Sequence, residues 1–64
     1  MRIFHVLVFH SRKGWLKYPE NDFNKCLKGM ETLKERGFQV KAETTANGIT
    51  ETLSLQEMRE MKLI

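Results

Sequence analysis

Apolar residues recur along this chain with different periods, and each period marks a different kind of element. Residues 3 to 9 read Ile-Phe-His-Val-Leu-Val-Phe, which places Ile3, His5, Leu7 and Phe9 on one face of an extended segment and Phe4, Val6 and Val8, with His10 following, on the other. Both faces are mainly apolar, the pattern of a strand covered on both sides, so this strand is expected at the centre of a sheet. Ser11-Arg12-Lys13-Gly14 reads as a turn. Residues 15 to 18 read as a short second strand that ends at Pro19, which has no N–H to give to a ladder.

The period then changes to that of a helix. Phe23, Cys26, Leu27, Met30 and Leu33 follow the i, i+3, i+4, i+7 rule. Asn21 or Asp22 supplies the N-cap, and Lys34 and Arg36 complement the dipole at the other end. Gly37 fits a left-handed terminating position. Gly29, inside the helix, costs about 1 kcal/mol relative to alanine, which marks it as a site of close backbone approach.

Alternation returns after Gly37. Phe38, Val40 and Ala42 alternate with Gln39, Lys41 and Glu43, so this strand has one buried and one wet face. Asn47-Gly48 is a strong signal for a two-residue hairpin, pairing Ala46 with Ile49, Thr44 with Glu51 and Ala42 with Leu53. That register sets Phe38, Val40, Ala42, Ala46, Ile49 and Leu53 on a single face. Leu53-Ser54-Leu55-Gln56-Glu57-Met58 then combines a capping box with a hydrophobic staple, so a short helix runs from Leu55 to about Leu63, with Leu55, Met58, Met61 and, at its end, Ile64 on one side.

The order β-β-α-β-β-α predicts a single α+β domain over residues 1–64, with a mostly antiparallel sheet, the longer helix packed on one face and a short C-terminal helix. If residues 15 to 18 were not a strand, the first and third segments would become parallel neighbours. No internal repeat, linker or low-complexity stretch interrupts the pattern.

Size changes the picture. A chain of 64 residues builds a core worth roughly 3 to 5 kcal/mol, so a staple, a metal or a partner is the usual supplement. Cys26 is the one cysteine and cannot form an internal disulfide, and His5, His10 and Cys26 match no metal-ligand spacing. No metal and no cofactor is therefore expected, which leaves partner burial. The second apolar face of residues 3 to 9 would be covered either by the tail helix or by a second copy of the chain.

The run from Ile3 to Phe9 contains His5 and is followed by Ser11-Arg12-Lys13 without a small-residue cleavage site, so it reads as a strand rather than a signal core. No stretch has the length of a transmembrane helix, and no membrane partner is expected. The lone thiol makes the cytoplasm the expected compartment.

The formal charge of +3 is unevenly divided. Arg2, Arg12, Lys13 and Lys17 stand in the first 19 residues with no acid among them. Arg12, Lys13, Trp15, Lys17 and Tyr18 together resemble a partner-binding surface, with cations at a turn and aromatic anchors between them. The same mixture suits single-stranded nucleic acid. The bland alternative makes the rings hairpin supports and the lysines solvated turn residues.

His5 and His10 point to opposite faces and cannot share a metal or a proton. His5 reads as a satisfied, partly buried histidine, and Cys26 as a small hydrophobe in a helix stripe. A His10 and Cys26 nucleophilic pair has no orienting group, so catalytic residues are none and an enzyme is not expected.

The sequence therefore points to a small non-catalytic binding protein, of the kind phages and mobile elements use as an inhibitor or modulator of a larger host complex, an association by size class. Its partner would be a larger protein with an acidic surface. A basic nucleic-acid-binding protein using the 10–18 hairpin and a structural homodimer are the alternatives. Leu55, Met58 and Met61 form a second candidate surface, for a dimer or a partner, because methionine-rich stripes adapt to other chains.

Overall fold

The computed structural model describes residues 2–63 and has the expected element order: β1 (Ile3–His10), β2 (Gly14–Pro19), α1 (Phe23–Glu35), β3 (Val40–Ala46), β4 (Ile49–Leu53) and α2 (Leu55–Lys62). The strands form one four-stranded antiparallel sheet in the order β2-β1-β3-β4. β1 is central, as its pattern requires, and β2 and β4 are the edges. With β2 present, β1 and β3 are antiparallel neighbours.

Local chemistry sets the element ends. Asp22 caps α1 by accepting the Lys25 N–H at 3.0 Å. At the other end the Phe38 N–H donates to the Leu33 carbonyl and the Gly37 N–H to the Lys34 carbonyl, with Gly37 at φ 91°, a Schellman motif. Asn47 (φ 53°) and Gly48 (φ 77°) both adopt the left-handed conformation that a type I′ turn demands, and the β3–β4 register is the one the turn predicts. The α2 capping box is complete: Glu57 N–H to Ser54 Oγ at 3.1 Å and Ser54 N–H to Glu57 Oε1 at 3.0 Å.

Both helices lie on one face of the sheet. Phe4, Val6 and Val8 of β1 join Ala42 of β3, Cys26, Leu27 and Met30 of α1 and Met58 of α2 in a single buried cluster. Phe23 opens α1 by meeting Phe4 edge-on, with ring centroids 5.7 Å apart. Leu55 and Met61, partly buried, pack on the same cluster, so the stripe expected to serve as a second partner surface packs inside the chain; Ile64, at its end, lies outside the described residues.

Four expectations change. The tail helix does not cover the second face of β1, because Met58, which is fully buried, holds α2 beside α1. Phe38 is exposed, since it precedes β3 and its backbone serves the Schellman motif. Ile49 is also exposed: it lies at the hairpin end of β4, whereas α2 begins just after the opposite end of that strand, past Leu53. Gly29 marks no close approach, because a Cβ there would meet nothing within 4 Å.

Two stability changes follow. Ser54→Ala should lower stability by about 1 kcal/mol through the lost cap, and Gly29→Ala should raise it by roughly 0.5 to 1 kcal/mol through helix propensity. Urea denaturation of the two variants checks both, and a neutral or harmful Gly29→Ala would mean that the helix packs more tightly at this point than its open surroundings imply.

Candidate binding surface

Among the described residues, no element covers the face of the sheet opposite the helices. The odd-numbered residues of β1 and β2 lie on it, and the β1–β3 register adds Lys41, Glu43 and Thr45. Its apolar centre is a stripe along β1. Leu7 is only 7% exposed although no helix covers it, because it lies between Lys17 of β2 and Lys41 of β3 in the register. Ile3 (42%), Phe9 (37%) and Trp15 (42%) remain open to solvent.

Trp15 is the best supported of these side chains. Phe9 stands opposite it across the β1–β2 pair and meets it edge-on, at 5.4 Å between centroids. Lys41 reaches over its ring with Nζ 4.1 Å from the centroid. Lys17 bridges β1 to reach Glu43 at 2.8 Å. That hydrogen bond is the main reason the Glu43 carboxyl lies below its ordinary range; burial opposes the shift, while the Lys17, His5 and Lys41 charges add to it. At the β4 end the Thr45 and Thr50 hydroxyls hydrogen-bond at 3.0 Å.

The residues singled out from the sequence are not one patch. Trp15 and Lys17 lie on the open face, and Arg12 and Lys13 cap it at the turn, where the Lys13 N–H donates to the His10 carbonyl at 3.2 Å. Tyr18 pairs with Val6 and therefore projects from the helix side of an edge strand, where it is 53% exposed. His5 is partly buried, but its Nδ1 has no hydrogen-bond partner, so it is not satisfied as expected. His10 Nδ1 accepts the Arg12 N–H at 3.2 Å. Sequence reasoning missed Phe9, Lys41 and Glu43. The wet parity of Lys41 and Glu43 was visible, but only the β1–β3 register brings them to Trp15 and Lys17.

That register also divides the charge. Of eleven cations and eight acids, the open face and its turn hold Arg12, Lys13, Lys17 and Lys41 against Glu43 alone. The remaining seven cations and seven acids cancel. Arg2 belongs to this second group: it lines a cleft of about 180 Å³ at the far end of the sheet with Thr44 and Glu51. Thr44 is buried there, and its hydroxyl has no partner.

Cys26 is fully buried, and burial together with the nearby Glu20 charge pushes its thiol pKa up, the reverse of what a nucleophile needs. Among the described residues, no three His, Cys, Asp or Glu side chains converge as metal ligands, and no helix is long and apolar enough to cross a membrane. No family model, curated protein or solved structure matches the chain.

The Lys17–Glu43 bond predicts a pH-dependent contribution. Because the folded pKa of Glu43 is lowered, the unfolded chain binds more protons at acid pH; the bond's contribution is complete above the ordinary carboxylate range and is lost as the pH falls from there through the lowered Glu43 pKa. Lys17→Met should therefore lower the urea midpoint at neutral pH, and its difference from the parent should vanish as the pH falls through the Glu43 titration. A difference that stays constant with pH would remove the ionic account.

Proposed function

We propose that the protein is a small non-catalytic binding module that docks its helix-free sheet face on a larger protein with an acidic surface. The observation that carries this reading is the coincidence of the exposed Trp15–Phe9 pair with the whole net charge of the molecule on one face and its bordering turn. An aromatic anchor within a ring of cations is the arrangement expected of an interface whose centre supplies affinity and whose rim supplies steering.

Charge also ranks the alternatives. A second copy docking face to face would set like charge against like charge, which disfavours a homodimer through this surface. Nucleic acid would need an accessible ring face for stacking. Trp15 instead has Phe9 against it and Lys41 over its ring. Inhibition or modulation of a host complex is a role that suits a module of this size.

Replacing Arg12, Lys13 and Lys17 together with glutamine should leave the circular dichroism spectrum unchanged and slow association with a partner purified from nuclease-treated lysate, with loss of its salt sensitivity. Trp15→Ala should stay folded, because the ring lies outside the core, and weaken binding by about 2 kcal/mol or more if it is the anchor. Unaltered binding by both variants would reject the surface. A log-log salt slope near −3.6 on duplex DNA, at about −0.9 for each of four phosphates, would instead support the nucleic-acid reading.

A further inference from the structure

The edge of the sheet beside Trp15 has a directional property that the exposure of its side chains does not convey. The Glu20 N–H donates to the Phe4 carbonyl at 2.9 Å, which makes Phe4 and Glu20 a hydrogen-bonded pair of the antiparallel ladder. Hydrogen-bonded and non-hydrogen-bonded pairs alternate in such a ladder. Tyr18, Leu16 and Gly14 thus turn their backbone groups inward to β1, while Trp15 and Lys17 turn their N–H and C=O groups outward. Among the described residues, only β1 pairs with β2, and the Lys17 and Trp15 side chains that reach β3 do so over the sheet face, so these outward groups lie along an uncovered edge.

The same two residues place their side chains on the open face. A strand added along β2 would form its hydrogen-bonded pairs with Trp15 and Lys17, and the side chains it set opposite them would extend the open face. The added residue beside Trp15 would meet an aromatic ring, and the one beside Lys17 a half-exposed side chain whose ammonium rests on Glu43, so that an acid there would compete with Glu43 for it. An incoming segment that alternates with period two would thus show apolar and acidic side chains to this face.

The opposite edge differs. The two-residue turn makes Ala46 and Ile49 a hydrogen-bonded pair, so on β4 it is Thr50 and Thr52 that turn their backbone outward, and their side chains carry no charge. The nearest charged residue of that strand is Glu51, which would repel an acidic segment. Pro19 limits pairing on β2 to its first part, since it can offer a carbonyl but no N–H.

We infer that β2 is a strand-acceptor edge, and that the partner contributes an extended segment in which acidic and apolar side chains share the face beside Lys17 and Trp15. This rests on the proposed docking of the open face and adds the mode of engagement: main-chain pairing supplies part of the affinity, and Trp15 and Lys17 set the register. Lys17 is a common device for blunting an edge, but here its side chain is drawn back across β1 to Glu43 and leaves the edge clear.

The test is an NMR titration of the full chain with a synthetic peptide of about ten residues that alternates two-residue repeats of glutamate and valine on one face with threonine between, against a control of the same composition in blocks. With the patterned peptide, hydrogen exchange of the Trp15 and Lys17 amides should slow at least about tenfold, while Thr50 and Thr52 are unchanged. The block peptide should do neither. A chain synthesised with the Lys17 backbone nitrogen methylated keeps every side chain and loses one outward donor, and its affinity for the patterned peptide should fall about tenfold.

If the Trp15 indole signal shifts while both amides exchange at their free rates, the strand acceptor is wrong and docking on the open face survives. If neither responds up to millimolar peptide, both fall. Slowed exchange at Thr50 and Thr52 instead would move the acceptor to β4 and overturn the assignment, as would unchanged affinity of the methylated chain.

Discussion

The burial of Met58 beside Met30 and Cys26 is the contact on which the rest of the molecule depends, because it commits both helices to one side of the sheet. A helix of eight residues is too short to persist in water by itself, so α2 exists only where its apolar stripe finds cover. Methionine suits such a seam, being unbranched and able to fill irregular space between two helices and a strand. Ala42, fully buried at the centre of β3, lies on the strand that both helices touch. With both helices committed to this layer, none of the described elements lies on the opposite side.

The open face is therefore a product of where the two helices pack. Its stripe is protected in part by the stems of Lys17 and Lys41, whose ammonium groups reach Glu43 and the Trp15 ring. Leu7 is buried in this way without a helix above it. The aromatic pair lies toward the turn end of the β1–β2 hairpin, with Arg12 and Lys13 next to it, so apolar area and positive charge are concentrated at one end of the same face.

Elements with local determinants could be read directly from the chain. The cap at Asp22, the glycine at 37, the Asn-Gly turn and the Ser54–Glu57 box each act over a few residues, and each appears where the pattern placed it. The fold class and the β3–β4 register followed from them. What the chain did not disclose was the side on which α2 packs. Apolar residues on both faces of β1 suggest a strand covered twice, yet an apolar side chain does not require full cover in a small protein, whose surface is itself largely apolar. The site was half legible for a similar reason. A block of charge near the start of the sequence is visible, but the loss of Arg2 and Tyr18 to the other side and the arrival of Lys41 and Glu43 depend on long-range pairing.

Cys26 carries a consequence for handling the molecule. Its thiol is sealed beneath the helices and held protonated by burial, so it can meet an oxidant or another thiol only when the core opens. A covalent dimer on a non-reducing gel would thus be a record of chains that had come apart, and its slow accumulation in storage would count opening events rather than native association. The single sulfhydryl makes the protein its own dosimeter of unfolding.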